Sequence, residues 1–191
     1  MTSENVLKDI IEFCKFAGKL KRTKRTGWDM RVGIKDGESV ADHSFRAALM
    51  AMVLADMRKL DTEKIMRMAL LHDLGESIIG DWDALQTKLD GRQAEKQQKE
   101  DEALRKILAL LPKDIESKYL ETLKELSARE TEESKLFRQL DRLETILQAV
   151  EYQKEGHDKE KFEAFWGAKM SVQDEELLKI VELLEKERDE G

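Results

Sequence analysis

Two leucines and then a dense polar cluster make up residues 70–81, LLHDLGESIIGD, in a chain that has only three histidines. His72 and Asp73 are adjacent, Glu76 follows the histidine by four residues, and Asp81 closes the stretch. The other two histidines differ in setting. His43 sits in ESVADHSFRAA, an otherwise apolar helical segment, whereas His157 lies in the polar run KEGHDKE and reads as a surface loop residue. Asp141, in KLFRQLDRLETILQAVEY, falls on the arc that Phe137, Leu140, Leu143, Ile146 and Leu147 turn inward. A buried carboxylate is costly unless it is paired with a base or bound to a cation. A salt bridge would satisfy Asp141 alone, and a single histidine on an apolar face is most often a hydrogen-bonded core residue. His43, His72, Asp73 and Asp141 together offer another reading. They form a nitrogen and oxygen set that suits a divalent cation such as Mn, Co, Mg, Fe or Zn, with positions open for water and substrate. Glu76, on the same side as His72 if helical geometry continues, is placed as a general acid or base rather than as a required ligand.

Helices have to position these groups. A chain of 191 residues is long enough for one domain with a core and short for two. Proline occurs once, as Pro112, and clusters of β-branched and aromatic residues are scarce, so the fold class is all-α. Periodicity predicts a first helix on Val6, Leu7, Ile10, Ile11, Phe13, Cys14 and Ala17, with Ser3 as its cap. A second starts from Ser39, with Asp42 at its third position, and runs to about residue 59, turning Val40, Phe45, Leu49, Met52 and Val53 inward. Asp61 caps a third, with Ile65, Met66, Ala69 and Leu70 as its buried face, and Gly75 and Gly80 then loosen the backbone. Later helices are predicted over about 93–111, 114–126 and, from a cap at Thr131, to about 153. Phe162, Phe165 and Trp166 mark a short helix, and Ser171 caps the last.

The formal charge of −7 argues against nucleic acid and anionic membranes as general partners. The charge is uneven, however. Lys19, Lys21, Arg22, Lys24, Arg25, Arg31 and Lys35 face only Asp29 within residues 19–35, either as a solvated surface or as a place to meet a small anion. Cys14, the single cysteine, has no intramolecular disulfide partner and is expected in the core. The chain shows no signal pattern and no apolar run of about 18 residues, and a cytoplasmic location is expected.

The order His43, His72-Asp73, Asp141 resembles the HD-domain metal-dependent phosphohydrolases. More finely, RTGW (25–28), ESVADHS (38–44), HDLGESIIGD (72–81) and LDRLETILQAVEY (140–152) resemble the HD-domain 5′-deoxynucleotidases, which remove phosphate from deoxyribonucleoside 5′-monophosphates. These blocks fall within about residues 20–152. The resemblance implies one HD-type helical bundle over residues 1–191, with helices in 160–190 packed on it and a metal site between helices. It implies His43, His72, Asp73 and Asp141 as ligands of a divalent cation and Glu76 as the catalytic glutamate. It further implies Asp81 at the sugar, Trp28 lining the nucleoside pocket, Arg25 on the phosphate, and a homodimer. Two departures touch the substrate end. Two residues separate Arg25 from Trp28 where some members have them adjacent, and WDALQT after Asp81 lacks a proline common in relatives. The chemistry implied is in-line attack of water on phosphorus, with Glu76 positioning that water or protonating the departing 5′-oxygen. Rival readings are a superfamily enzyme acting on another nucleotide or phosphomonoester, and a helical interaction module with a vestigial site.

Overall fold

A computed structural model describes residues 3–190 as α1 (Glu4–Leu20), a π-type turn (Trp28–Val32), α2 (Val40–Arg58), α3 (Thr62–Leu71), α4 (Glu76–Ile79), α5 (Ala84–Leu89), α6 (Gln93–Leu108), α7 (Lys113–Ala128), α8 (Glu132–Lys154), α9 (Glu163–Trp166) and α10 (Glu175–Glu190). No strand forms among the described residues; a lone antiparallel bridge pairs Lys24 with Ser39. That bridge delivers the chain to the start of α2, where Ser39 and Asp42 form a reciprocal capping box. Asp61 and Thr131 cap α3 and α8 by accepting from the amides three residues on. The helices that carry the site therefore begin at defined points.

α2 packs against both α3 and α8, and its buried face explains how. Ala47, Ala48, Ala51 and Ala55 are buried there, a thin surface that lets two larger helices approach. Ile65 and Met68 from α3, and Phe137, Leu140, Leu143 and Ile146 from α8, fill the space around it, joined by Leu177, Val181 and Leu184 of α10. A second apolar cluster of Leu20, Val40, Leu71, Leu74, Leu104, Ile107 and Leu108 joins α1 and α6 to the start of α2 and the end of α3.

The expected inner faces of the first three helices need correction. Val40 is buried, but Phe45, Leu49 and Val53 are 66%, 42% and 51% exposed, because the alanine face, not the large apolar one, meets α3 and α8. On α1, Leu7, Ile10, Ile11 and Cys14 are exposed, while Phe13 and Phe16 make the helix's contact with the second cluster. On α3, Leu70 faces outward and Met68 and Leu71 are buried beside Ile65 and Ala69. Ser171 ends a 3-10 turn instead of opening the last helix; Asp174 accepts from the Glu176 and Leu177 amides there. Among the described residues, no helix is long and apolar enough to cross a membrane.

The polar stretch that follows α3 does not continue it. α3 ends at Leu71, residues 72–75 turn, and α4 starts afresh at Glu76, whose amide bonds the Asp73 carbonyl at 3.0 Å. Gly75 allows this: a Cβ there would meet the Glu100 carbonyl oxygen at 3.2 Å, so α4 packs directly on α6. Gly80, with φ +75°, closes the short helix in a conformation other residues adopt at a cost.

Candidate metal centre and active site

α2, the end of α3 and α8 bring His43, His72, Asp73 and Asp141 together. His72 Nε2 is 2.9 Å from Asp73 Oδ2 and 3.7 Å from Asp141 Oδ1. His43 Nε2 is 3.1 Å from the same Asp141 oxygen and 3.9 Å from Asp73 Oδ2. The far nitrogens fix the tautomers. His72 Nδ1 lies 2.8 Å from the Ala69 carbonyl, which can only accept, so Nδ1 carries the proton and Nε2 presents a lone pair. His43 Nδ1 donates in the same way to the buried Glu144 carboxylate.

The Nε2 atoms of both imidazoles thus face two carboxylates in a space of a few ångströms. Burial opposes the charge on Asp73, yet His72 and His43 hold its pKa below the ordinary range. Burial likewise opposes the charge on Asp141, and Arg142 together with both histidines holds its pKa well down. Burial and Arg25 work against a positive His43, but without a cation Asp141 and Glu144 prevail and raise its pKa to about 9, so Nε2 gives up a proton to Asp141 or to solvent when it ligates. A cluster of acceptors with this field calls for a cation, and His72 Nε2, buried without a hydrogen-bond partner among the described residues, points at the place for it. The donor set fits a divalent first-row metal or Mg, and His43, His72 and Asp73 alone already meet the spacing of a metal-binding group.

Glu76 is 3% exposed and stands next to this cluster. Burial, with the charges of Asp73 and Asp81, pushes its pKa well above the ordinary carboxyl value, and Lys96 Nζ at 3.5 Å offsets this only in part. Its Oε2 is buried and has no hydrogen-bond partner among the described residues. Glu76 is therefore biased toward its protonated form, in contrast to Asp73 and Asp141. Both kinds of carboxyl line a cavity of about 630 Å³, which also reaches Arg25, Asp81, Trp82, Lys96 and Phe165.

The substrate-end residues are more constrained than their sequence suggests. Asp81 accepts from the Thr26 amide at 2.6 Å and from the Thr26 hydroxyl, tying the loop after α4 to the segment before the π-type turn. Trp28 borders the cavity, but it is only 1% exposed. Its N–H donates to Glu38 Oε1 at 2.9 Å, Phe165 stacks on its face with centroids 4.1 Å apart, and Tyr152 meets it edge-on. Arg25 reaches the site from the loop: Nη2 donates to Thr145 Oγ1 at 3.3 Å, and Nη1 lies 3.5 Å from Glu144 and 3.6 Å from Glu38. Burial and Glu144 push the Glu38 pKa up to about 7 against the pull of Arg25.

Sequence reasoning missed Glu144, which orients His43 and is itself held by Arg46 Nε at 2.9 Å. One signal was available: Glu144 lies three residues after Asp141 on the same inward face. Glu38 and Lys96 were missed as well, and no spacing in the sequence connects them to the cluster.

Comparison with known proteins gives a consistent picture. A family model described as HD domain matches residues 17–181. The human protein named 5′-deoxynucleotidase HDDC2 is 36% identical over 182 residues, which is 95% of this chain and 87% of that protein. A solved structure described as a conserved hypothetical protein from Pyrococcus furiosus superposes with a TM-score of 0.68 at 36% identity, covering 94% of this chain and 99% of the other. Another, described as a predicted metal-dependent phosphohydrolase from Magnetospirillum magnetotacticum MS-1, gives a TM-score of 0.71 at 25% identity over 98% of this chain and 94% of the other.

Proposed function

The chain belongs to the HD domain family, and from that membership we propose that it is a metal-dependent phosphomonoester hydrolase that removes phosphate from deoxyribonucleoside 5′-monophosphates. The observation that carries this is the cluster of His43, His72, Asp73 and Asp141, of which His72, Asp73 and Asp141 line one cavity with the buried Glu76, whose pKa is raised. His43, His72, Asp73 and Asp141 would hold the divalent cation, whose identity among Mn, Co, Mg, Fe and Zn is a matter for metal analysis. When bound, such a cation polarises a phosphoryl oxygen and lowers the pKa of water.

The chain's own residues do the rest. Glu76 is placed to give its proton to the departing 5′-oxygen, the step that its raised pKa favours. Arg25 neutralises the phosphate from the loop side. Glu144 holds the His43 ring so that Nε2 faces the centre, and the Ala69 carbonyl does the same for His72. Asp81 stands where it can meet the sugar, and Trp28, through the Phe165 ring stacked on it, stiffens the apolar wall.

We further propose that residues 1–191 act as one domain and that the enzyme is a homodimer. Support for the first is α10, whose Leu177, Val181 and Leu184 complete the main core. The exposed apolar stripes of α1 and α2 support the second. A cytoplasmic location suits the exposed thiol of Cys14, which a reducing compartment protects. The test of function is phosphate release from dAMP by the purified protein, before and after removal of metal by a chelator. Release that stops on chelation and returns with one divalent cation is expected; release that ignores the chelator would overturn the reading.

A further inference from the structure

The face of α8 that looks into the cavity carries Arg138, Asp141, Arg142 and Thr145, the i, i+3, i+4, i+7 spacing of a single stripe. Asp141 belongs to the acid and imidazole cluster, and Thr145 bonds Arg25. The two arginines have no comparable engagement. Arg142 reaches an acid only at 3.8 Å, Asp141 Oδ2. Arg138 is half-buried, its Nε is fully buried without a hydrogen-bond partner, and no carboxylate among the described residues lies within ion-pair distance of it.

Other half-buried arginines near the core are compensated. Arg25 faces Glu38 and Glu144, Arg31 faces Asp83, Arg46 faces Glu144 and Glu151, and Arg58 faces Asp174 and Glu176. Arg138 instead has Arg129 and Arg142 as like-charged neighbours. Burial and these two charges bring its guanidinium below the ordinary arginine pKa, although Asp141 and Asp73 pull the other way. A guanidinium left in this state is destabilising on its own. It becomes favourable once an anion docks against it.

We propose that Arg138, supported by Arg142, is a phosphate-binding residue that grips the substrate's phosphoryl group from the side of the centre opposite Arg25. The proposal deepens the phosphomonoesterase reading and rests on it. Arg138 and Thr145, the partner of Arg25, are seven residues apart on α8 with Asp141 near the middle, a separation of about 10 Å along the helix axis. A phosphoryl group at the cluster thus lies between the two guanidiniums. Their roles differ. Nη1 of Arg25 is also buried without a hydrogen-bond partner, but Glu38 and Glu144 lie within ion-pair distance of it, whereas no carboxylate among the described residues lies that close to Arg138. Arg138 and Arg142 therefore add to Arg25 in matching the negative charge of a phosphate, each through a planar fork suited to phosphate oxygens. Lys124 and Arg105, exposed on the rim of the same cavity, extend the positive field toward solvent.

Inorganic phosphate is the probe. Thermal melting of the metal-loaded protein is followed with and without phosphate for wild type, Arg138→Gln and Arg138→Lys, with metal content measured for each. Phosphate is expected to raise the wild-type Tm and to leave Arg138→Gln nearly unmoved. Without phosphate, Arg138→Gln should melt at or above the wild-type temperature, because an uncompensated charge is gone. Its KM for dAMP and its inhibition constant for phosphate should rise about 10- to 100-fold at unchanged metal content, with Arg138→Lys between the two. An equal phosphate shift in Arg138→Gln and wild type overturns the proposal, as does a lowered Tm with unaltered phosphate affinity, which marks a structural role. If wild type takes up phosphate through Arg138 but releases none from dAMP, the functional reading fails and with it the substrate role of Arg138, while the phosphate site itself stands. If Arg138→Gln hydrolyses dAMP with the wild-type KM, this one fails and the function stands.

Discussion

His43 and Glu144 illustrate how single side chains make the centre. Glu144 is fully buried, and only because His43, Arg25 and Arg46 surround it does its pKa stay below the ordinary value against the pull of burial. It spends that charge on fixing one imidazole. Asp141→Asn is expected to lower metal content and activity together while helicity persists, measured by elemental analysis and circular dichroism. Glu144→Gln should keep the metal site assembled but weaken metal affinity about 10- to 100-fold, the range for a lost outer partner of a ligand. Full occupancy in Asp141→Asn would return that residue to a plain ion pair. Glu76→Gln should behave in the opposite sense, retaining metal and nucleotide while kcat falls by about 10²- to 10⁴-fold; loss of metal there would move Glu76 among the ligands. The four candidate ligands are legible in the sequence because histidine is rare in it and because Asp141 interrupts an apolar stripe. Glu144 and Arg138 are not, since acids and bases are common along α8 and a single sequence does not mark which of them the fold buries.

At the scale of elements, capping and length are mostly legible, and so is the inner face of α8, where Phe137, Leu140, Leu143 and Ile146 are buried; the inner faces of α1 and α2 are not. Ser39, Asp61 and Thr131 cap the helices their side-chain chemistry predicts. Large apolar residues do not mark the inner face of α2, because the contact with α3 and α8 is made by alanines and Phe45, Leu49 and Val53 are left outside. The last helix is anchored by charge instead of by the expected Ser171. Asp174 takes two bonds of 2.8 Å from Arg58 at the end of α2 and also caps α10. Arg58 holds the Asp174 pKa below its ordinary value. A depressed carboxyl pKa contributes stability above the unfolded-state value and loses it as pH falls through the folded one. Asp174→Asn, which can still cap, should therefore cost about 1 kcal/mol or less at pH 7 for this partly exposed pair. The deficit should shrink as the pH drops below about 4, the unfolded aspartate value. Melting temperatures across that range check it, and a deficit independent of pH would place the loss elsewhere.

The whole molecule shows an acidic protein whose cavity combines a carboxylate cluster with bases drawn from several helices. The cavity is less acidic than the chain as a whole: its lining sets Arg25, Lys96, Arg138 and Arg142 among its carboxylates, whereas the formal charge of the chain is −7. The molecule's outer surface carries Phe45, Leu49 and Val53 at helical spacing on α2, an apolar stripe of the kind that second copies cover. If the proposed homodimer forms through this stripe, Phe45→Asp with Leu49→Asp should convert it to a monomer in sedimentation or light scattering, and an unchanged mass would remove α2 from the proposed interface. The central claim, hydrolysis selective for deoxyribonucleotides, is met most directly by kcat/KM of the metal-loaded protein for dAMP and AMP under one set of conditions. Asp81 is fixed by Thr26 and Trp28 is stacked on Phe165; with these as the proposed boundary of the sugar, exclusion of one hydroxyl by shape alone is worth about 10²-fold. A ratio near that value in favour of dAMP is the expected result. Equal values for the two sugars would contradict the account.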